Sequence, residues 1–170
     1  MGEVKAVIFD LDGTLVDLPI DYEALRLELS KLLGVSVMDK PLLDVLSSAS
    51  AELRGTIFDI WTKHELIAVK NLRVNPQGMG LYKRYRGKRL ALVTMQGREI
   101  VKKILDTLKL SFEIIVTRED CPNRVKQIRK VMEEMGLPPE SILMVGDSLN
   151  DEFSAKKVGC KFLRVGVGER

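Results

Sequence analysis

Two aspartates, Asp10 and Asp12, stand two positions apart in the stretch FDLDGTL, directly behind the apolar run Val4–Ile8. In extended chain, residues i and i+2 point to the same side, so both carboxylates would enter one pocket. Like charges that close resist ionising together, which calls for a shared proton, a buried cation, or both. A second acidic group, Gly146–Asp147–Ser148–Leu149–Asn150–Asp151, follows the apolar run Ile142–Val145, and Thr94 closes a third run that begins at Arg89. If these endings share one edge of a sheet, Asp10 and Asp147 can hold a divalent cation. Mg²⁺ suits a site of few carboxylates plus water. Asp12 can then exchange protons with a bound substrate. Thr94 and the backbone N–H groups around Gly97 can hold an anion at a helix N-terminus.

The elements that must position these groups are legible in the hydrophobic pattern. Tyr22, Leu25, Leu29 and Leu32 recur at helical spacing, with Pro19 ahead and Gly34 behind, and predict a helix over 21–33. Pro41 opens a second helical stretch, and Gly55 divides it from a third running through Ile57, Ile60, Trp61 and Ile67. Asn75–Pro76–Gln77–Gly78 reads as a break, so residues 18–75 form a helical block with no convincing strand. Beyond it the character changes. Apolar runs at 89–94, 112–116, 142–145 and 161–165 alternate with helical patterns at 99–108, 124–135 and 151–158. With the run before Asp10, this predicts an α/β fold: a Rossmann-like parallel five-stranded sheet with helices on both faces. The expected division is an α/β core of residues 1–17 and 76–170 and a helical subdomain of residues 18–75. In such open sheets ligands bind outside the carboxyl ends of the strands, where all three polar endings fall.

Composition narrows the function classes. A chain of 170 residues with 45% hydrophobic residues can bury a proper core, and its net charge of +3 is far from a nucleic-acid-binding profile. The cluster Lys83, Arg84, Arg86, Lys88 and Arg89, with Tyr82 and Tyr85 between, reads as a solvated helix end followed by a turn at Gly87. Cys121 and Cys160 have no metal-ligand spacing and suit reduced thiols. Asp10 and Asp12 interrupt the first apolar run before it can serve as a secretory leader, and no stretch is long and apolar enough to span a membrane. The expectation is a cytoplasmic protein with no nucleic-acid or membrane partner.

The motifs DLDGT, LVT and GDSLND, in this order and each at the end of a predicted strand, resemble the haloacid dehalogenase-like (HAD) hydrolase superfamily over residues 4–17 and 88–165. The resemblance implies phosphoryl transfer through an aspartyl-phosphate on a small phosphorylated metabolite, with Mg²⁺ as cofactor. Asp10 would be the nucleophile. Asp12 would act as acid and then base, its backbone carbonyl serving the metal. Asp147 would ligate Mg²⁺, and Asp151 would do so directly or through water. Thr94, Met95 and Gly97 fall in the phosphate-binding stretch, although Met95 by type also reads as core filling, like Met132, Met135 and Met144. Residues 18–75 would be the family's cap. An acid at position 12 points to a phosphatase or phosphomutase rather than to carbon–halogen cleavage.

One motif departs from the family pattern, which places a Lys, often as Lys-Pro, near the helix before the last acidic motif. Here the region reads REDCPNRVKQIRKVMEEMGL, and Arg124 and Lys126 are the candidates. Arg124 lines up with Ile128, Val131 and Met135 on the apolar face, whereas Lys126 lines up with Lys130, Glu133 and Glu134 on the wet one. This favours Arg124, whose guanidinium can grip phosphate oxygens bidentately. Besides the phosphatase and the phosphomutase, two other readings fit: a phosphate-accepting receiver domain, against which the late Gly-Asp-x-x-x-Asp and the helical block count, and a non-catalytic binding protein.

Overall fold

The computed structural model describes residues 2–166, so residue 1 and residues 167–170 of the expected core range lie outside it. The first apolar run becomes β1 (Ala6–Phe9), buried along its whole length. It is followed by β2 (Val16–Asp17), the helices α1 (Tyr22–Leu33), α2 (Leu42–Ser47) and α3 (Ala51–Ala68), and β3 (Arg73–Val74). Then come α4 (Pro76–Arg84), β4 (Arg89–Val93), α5 (Arg98–Leu108), β5 (Ile114–Val116) and α6 (Arg124–Met135). The chain closes with β6 (Ile142–Gly146), α7 (Leu149–Val158) and β7 (Lys161–Arg164).

Five strands form one parallel sheet in the order β5–β4–β1–β6–β7. Successive side chains of a strand face opposite ways, and here both directions are apolar. Val7 and Phe9 pack with Ile100 and Ile104 of α5 on one face, while Ala6 and Ile8 pack with Ile128 and Val131 of α6 on the other. The fold is the expected Rossmann-like one. From β1 the chain winds outward through β4 and β5, then returns to β6 on the other side of β1 and winds outward again to β7. The reversal falls between β1 and β6, whose ends are in register at Phe9 and Val145. A crevice opens at such a reversal, and Asp10 and Asp147 stand on its two sides.

Helices α1 to α3 bury a core of their own, built from Leu25, Leu29, Val45, Leu46, Ile57 and Trp61. The chain leaves the sheet for this block through β2 and returns through β3, and these two short strands pair antiparallel, Val16 opposite Val74. So a strand of two residues closes the block that the pattern alone reads as purely helical. Two residues are too few to show a period. Gly55 does not divide helices either. α3 runs straight through it, because one glycine in a helix costs only about 1 kcal/mol. The division lies before Ser50, whose hydroxyl caps the helix by accepting the Leu53 N–H at 3.2 Å. Likewise the Asn75–Gly78 break is a helix start, with Asn75 as the cap and Pro76 in the first turn of α4. The basic residues Lys83 and Arg84 do end that helix.

Candidate active site

Asp10 emerges from the carboxyl end of β1 with only 6% of its surface exposed. Its N–H donates to the Val145 carbonyl at 3.1 Å, which ties it to the neighbouring strand. One carboxylate oxygen from each of Asp10, Asp147 and Asp151 can be chosen so that all lie within 4.8 Å of one another. The turn between β1 and β2 allows this approach only because residue 13 is glycine. Its φ is +85°, and a Cβ there would lie 2.2 Å from Asp147 Oδ2. Thr14, next along, donates its hydroxyl to Asp147 Oδ1 at 3.3 Å.

Asp151 divides its two oxygens between two tasks. Oδ2 accepts the N–H groups of Asp147 and Ser148 at 3.3 Å each, completing a capping box with Ser148 at the start of α7. Oδ1 is buried and makes no hydrogen bond, although Arg124 Nε lies 2.9 Å away. The ordinary role of a first-turn acid is therefore present, and one oxygen remains turned to the cluster.

Arg124 and Lys126 separate cleanly. Two residues on a helix are about 200° apart, so only one can face the sheet. Arg124 is buried, donating from Nη2 to Asp10 Oδ1 at 3.0 Å, while Lys126 lies on the exposed face of α6. Gln127, one helical turn from Arg124, accepts from Arg124 Nη1 at 2.7 Å and donates to the Thr94 and Cys121 carbonyls at 2.9 and 2.8 Å. Thr94 is thus joined to the acids through Gln127. The sequence signal for this link is a polar residue on the apolar face of α6, a position the apolar alignment of Arg124 with Ile128, Val131 and Met135 passes over.

Burial pushes Asp10 well above the usual carboxylate range, Arg124 pulls it back, and Asp151 and Asp147 push it up again. Three carboxylates facing one guanidinium leave a net charge of −2 when all are ionised. A divalent cation fits that donor set in charge and in ligand type.

The other expected residues lie around this centre rather than in it. The Asp12 carboxylate accepts the Leu18 N–H at 2.8 Å, so its side chain is not one of the three clustered carboxylates. The N-terminus of α5, expected to hold an anion beside Thr94, does receive anions, but they belong to the chain. The Gly97 N–H donates to Glu65 of α3 at 3.2 Å, and the Arg98 N–H donates to Glu119 at 3.0 Å. The Met95 carbonyl accepts from Arg118 at 3.3 Å. Glu65 and Arg118 form a fully buried ion pair at 2.8 Å, which no local pattern in the sequence announces.

Acids at the switch point of a parallel sheet, with a buried guanidinium between them, define an α/β protein equipped to hold a cation and an anionic substrate together. Comparison with known proteins makes the class specific. The family model described as haloacid dehalogenase-like hydrolase matches residues 81–165, half of the chain. A phosphoglycolate phosphatase of Aquifex aeolicus is 30% identical over 93% of this chain and 83% of its own. Another, from Chromobacterium violaceum, is 26% identical over 99% of this chain and 87% of its own. The solved structure of a HAD phosphatase from Thermococcus onnurineus superposes with a TM-score of 0.63 at 25% identity, covering 98% of this chain and 89% of that one. The chain belongs to the haloacid dehalogenase-like hydrolase family. Asp10 lies outside the stretch that the family model matches, and the alignments to the two phosphatases reach over nearly the whole chain.

Proposed function

We propose that this chain is a Mg²⁺-dependent phosphatase that hydrolyses a small phosphomonoester through an aspartyl-phosphate on Asp10. That it is a hydrolase of phosphoric monoesters follows from its relatives, which are phosphatases along nearly the whole length shared. The observation that carries the finer reading is the buried Asp10, gathered with Asp147 and Asp151 and held by Arg124. Asp10, Asp147 and Asp151 would hold the metal, which when bound neutralises charge on the transferring phosphoryl group and orients it.

The remaining steps belong to the chain. Asp10 Oδ attacks phosphorus, and the bond to the leaving oxygen breaks as that oxygen takes a proton from Asp12. Asp12, now ionised, removes a proton from water, whose oxygen attacks phosphorus and breaks the bond to Asp10. Inorganic phosphate leaves. Arg124 supports the oxygens of the phosphoryl group, with Gln127 fixing its orientation, and Thr94 offers a hydroxyl from the next strand. Residues 18–75 form the cap over this edge, and the core comprises the rest. Tyr22, at the start of α1, faces the catalytic side. Burial, the Asp12 charge and Glu65 push its hydroxyl up to about 12 against Gln96 and Arg118, so it stays neutral throughout the working range.

A screen of phosphorylated metabolites, phosphoglycolate among the first, should give phosphate release that is lost on chelation and restored by Mg²⁺. Release of equal rate in chelator would overturn the metal assignment. No release from any monoester, a generic aryl phosphate included, would overturn the phosphatase.

A further inference from the structure

Arg118 is the largest fully buried side chain of the described residues, and it lies at the junction between the helical block and the sheet. Its guanidinium donates to Glu65 Oε2 at 2.8 Å, to Thr62 Oγ1 at 2.9 Å and to the Phe58 carbonyl at 3.2 Å, all on α3. It also stacks over the Trp61 ring, with its central carbon 4.6 Å from the ring centroid. The same guanidinium reaches the other way to the Met95 carbonyl, and the Arg118 N–H donates to the Gln96 carbonyl at 3.4 Å. Glu65 adds the bond from the Gly97 N–H. So three consecutive residues after Thr94 are each held by this pair: Met95 and Gln96 through their carbonyls, Gly97 through its N–H.

We propose that Glu65 and Arg118 are positioning residues that make the conformation of the Thr94–Gly97 loop depend on the seating of α3. No space remains for slack. A Cβ on Gly97 would lie 2.8 Å from Arg118 Nη2 and 3.0 Å from Glu65 Oε1. A hydrophobic contact could hold α3 down equally well, but it would leave the loop's polar groups unpaired. Buried backbone groups need partners: the Gly97 N–H finds its partner on α3, and the Met95 carbonyl finds its partner in Arg118, which follows β5 but whose guanidinium is held in place by Phe58, Thr62 and Glu65 of α3. The far side of the loop is fixed by Gln127 on the Thr94 carbonyl. Thr94 therefore sits between a clamp that belongs to the core alone and one that the core's Arg118 shares with Glu65 of the helical block, and displacement of α3 would loosen only the second.

This inference rests on the phosphatase reading for its functional readout. The test replaces the pair in two ways, because removing one partner alone would strand a buried charge and endanger the fold. Glu65→Leu with Arg118→Met abolishes the ion pair and both side-chain bonds to the loop, leaving only the backbone bond from residue 118 to the Gln96 carbonyl. Glu65→Gln with Arg118→Met abolishes the ion pair but keeps an oxygen for the Gly97 N–H, and its amide can donate to a carbonyl that Arg118 vacates. Titration calorimetry with Mg²⁺ alone, and then with inorganic phosphate at saturating Mg²⁺, reads both sites. Mg²⁺ affinity should stay within about 2-fold in both variants. Phosphate affinity should fall on the order of 10-fold or more in the Leu/Met variant, within the usual range of coupling between sites, and recover largely in the Gln/Met variant. Unchanged phosphate affinity in the Leu/Met variant, or equal losses in the two, would overturn the proposal and leave the pair as a simple fastening. Absence of phosphate binding in the unaltered chain would overturn the phosphatase reading instead. Hydrogen exchange at Thr94 and Gln96 would then decide the coupling: faster in the Leu/Met variant than in the Gln/Met variant if it exists, equal if it does not.

Discussion

At the scale of single residues, the choice between Arg124 and Lys126 shows what helix periodicity can decide. Both lie in a stretch without the family's usual Lys-Pro, and only the face they occupy separates them. Arg124→Ala should lower phosphatase turnover on the order of 10²-fold or more, since one lost electrostatic donor commonly costs that much, while Lys126→Ala should leave kcat/KM within about 2-fold. The reverse ranking in steady-state assays would mean that α6 turns its other face to substrate. Asp12 makes a sharper case, because its carboxylate rests on the Leu18 N–H and must act from there. Asp12→Asn should slow phosphoenzyme formation by roughly 10²–10⁴-fold with alkyl phosphates. With nitrophenyl phosphate the loss should be much milder, since that oxygen departs without a proton. Equal losses for both in single-turnover mixing would remove Asp12 as the leaving-group acid. Spacing brought out the acids because strands and motif order constrain them. The links made by Gln127, Glu65 and Arg118 are not legible because the decisive partners are distant, Thr94 lying 33 positions from Gln127 and Glu65 lying 53 from Arg118, and no local pattern names them.

At the scale of elements, α4 is the part the pattern read least well. Asn75 and Pro76 look like punctuation, and they are, but of a helix start. The glycine that follows has a reason of its own. A Cβ on Gly78 would lie 1.8 Å from the Thr14 carbonyl oxygen, in the loop that carries Asp10 and Asp12. Gly80, two residues on in the same helix, has nothing within 4 Å of that position. Glycine to alanine in a helix normally stabilises by up to about 1 kcal/mol. Gly80→Ala should do so. Gly78→Ala should destabilise by roughly 1–3 kcal/mol, because backbone has to move, and should lower turnover as the acidic loop shifts. Denaturant titration of both variants checks the opposite signs. If Gly78→Ala were also stabilising, α4 would not press on that loop.

At the scale of the whole molecule, the parallel five-stranded sheet followed from the alternation of apolar runs and helices, and the placement of the acids at one edge followed from the sheet, whereas the strand order is seen only in the structure. The attachment of the helical block did not follow either, because it depends on a two-residue strand pair and on one buried ion pair. Burial raises the Glu65 carboxyl above its ordinary range, and Arg118 and the Gly97 N–H pull it back only in part. A carboxyl whose pKa is higher in the folded chain contributes its stability below the unfolded value, near 4.3, and loses it as pH rises through the folded value. The Glu65→Leu, Arg118→Met chain should therefore gain on the unaltered chain between pH 4 and pH 7. Calorimetric scans in which the unaltered chain gains on the variant as pH rises would contradict this reading of the pair.

In the proposed reaction phosphorus passes through Asp10. This is tested most directly by rapid mixing of enzyme, Mg²⁺ and a phosphorus-labelled monoester, followed by acid quenching and measurement of label bound to protein. Hydroxylamine-sensitive label should map to Asp10, form and decay at rates compatible with turnover, and be absent from Asp10→Asn and from chelated enzyme. Phosphate released at an undiminished rate by Asp10→Asn, or label mapping to another residue, would contradict it.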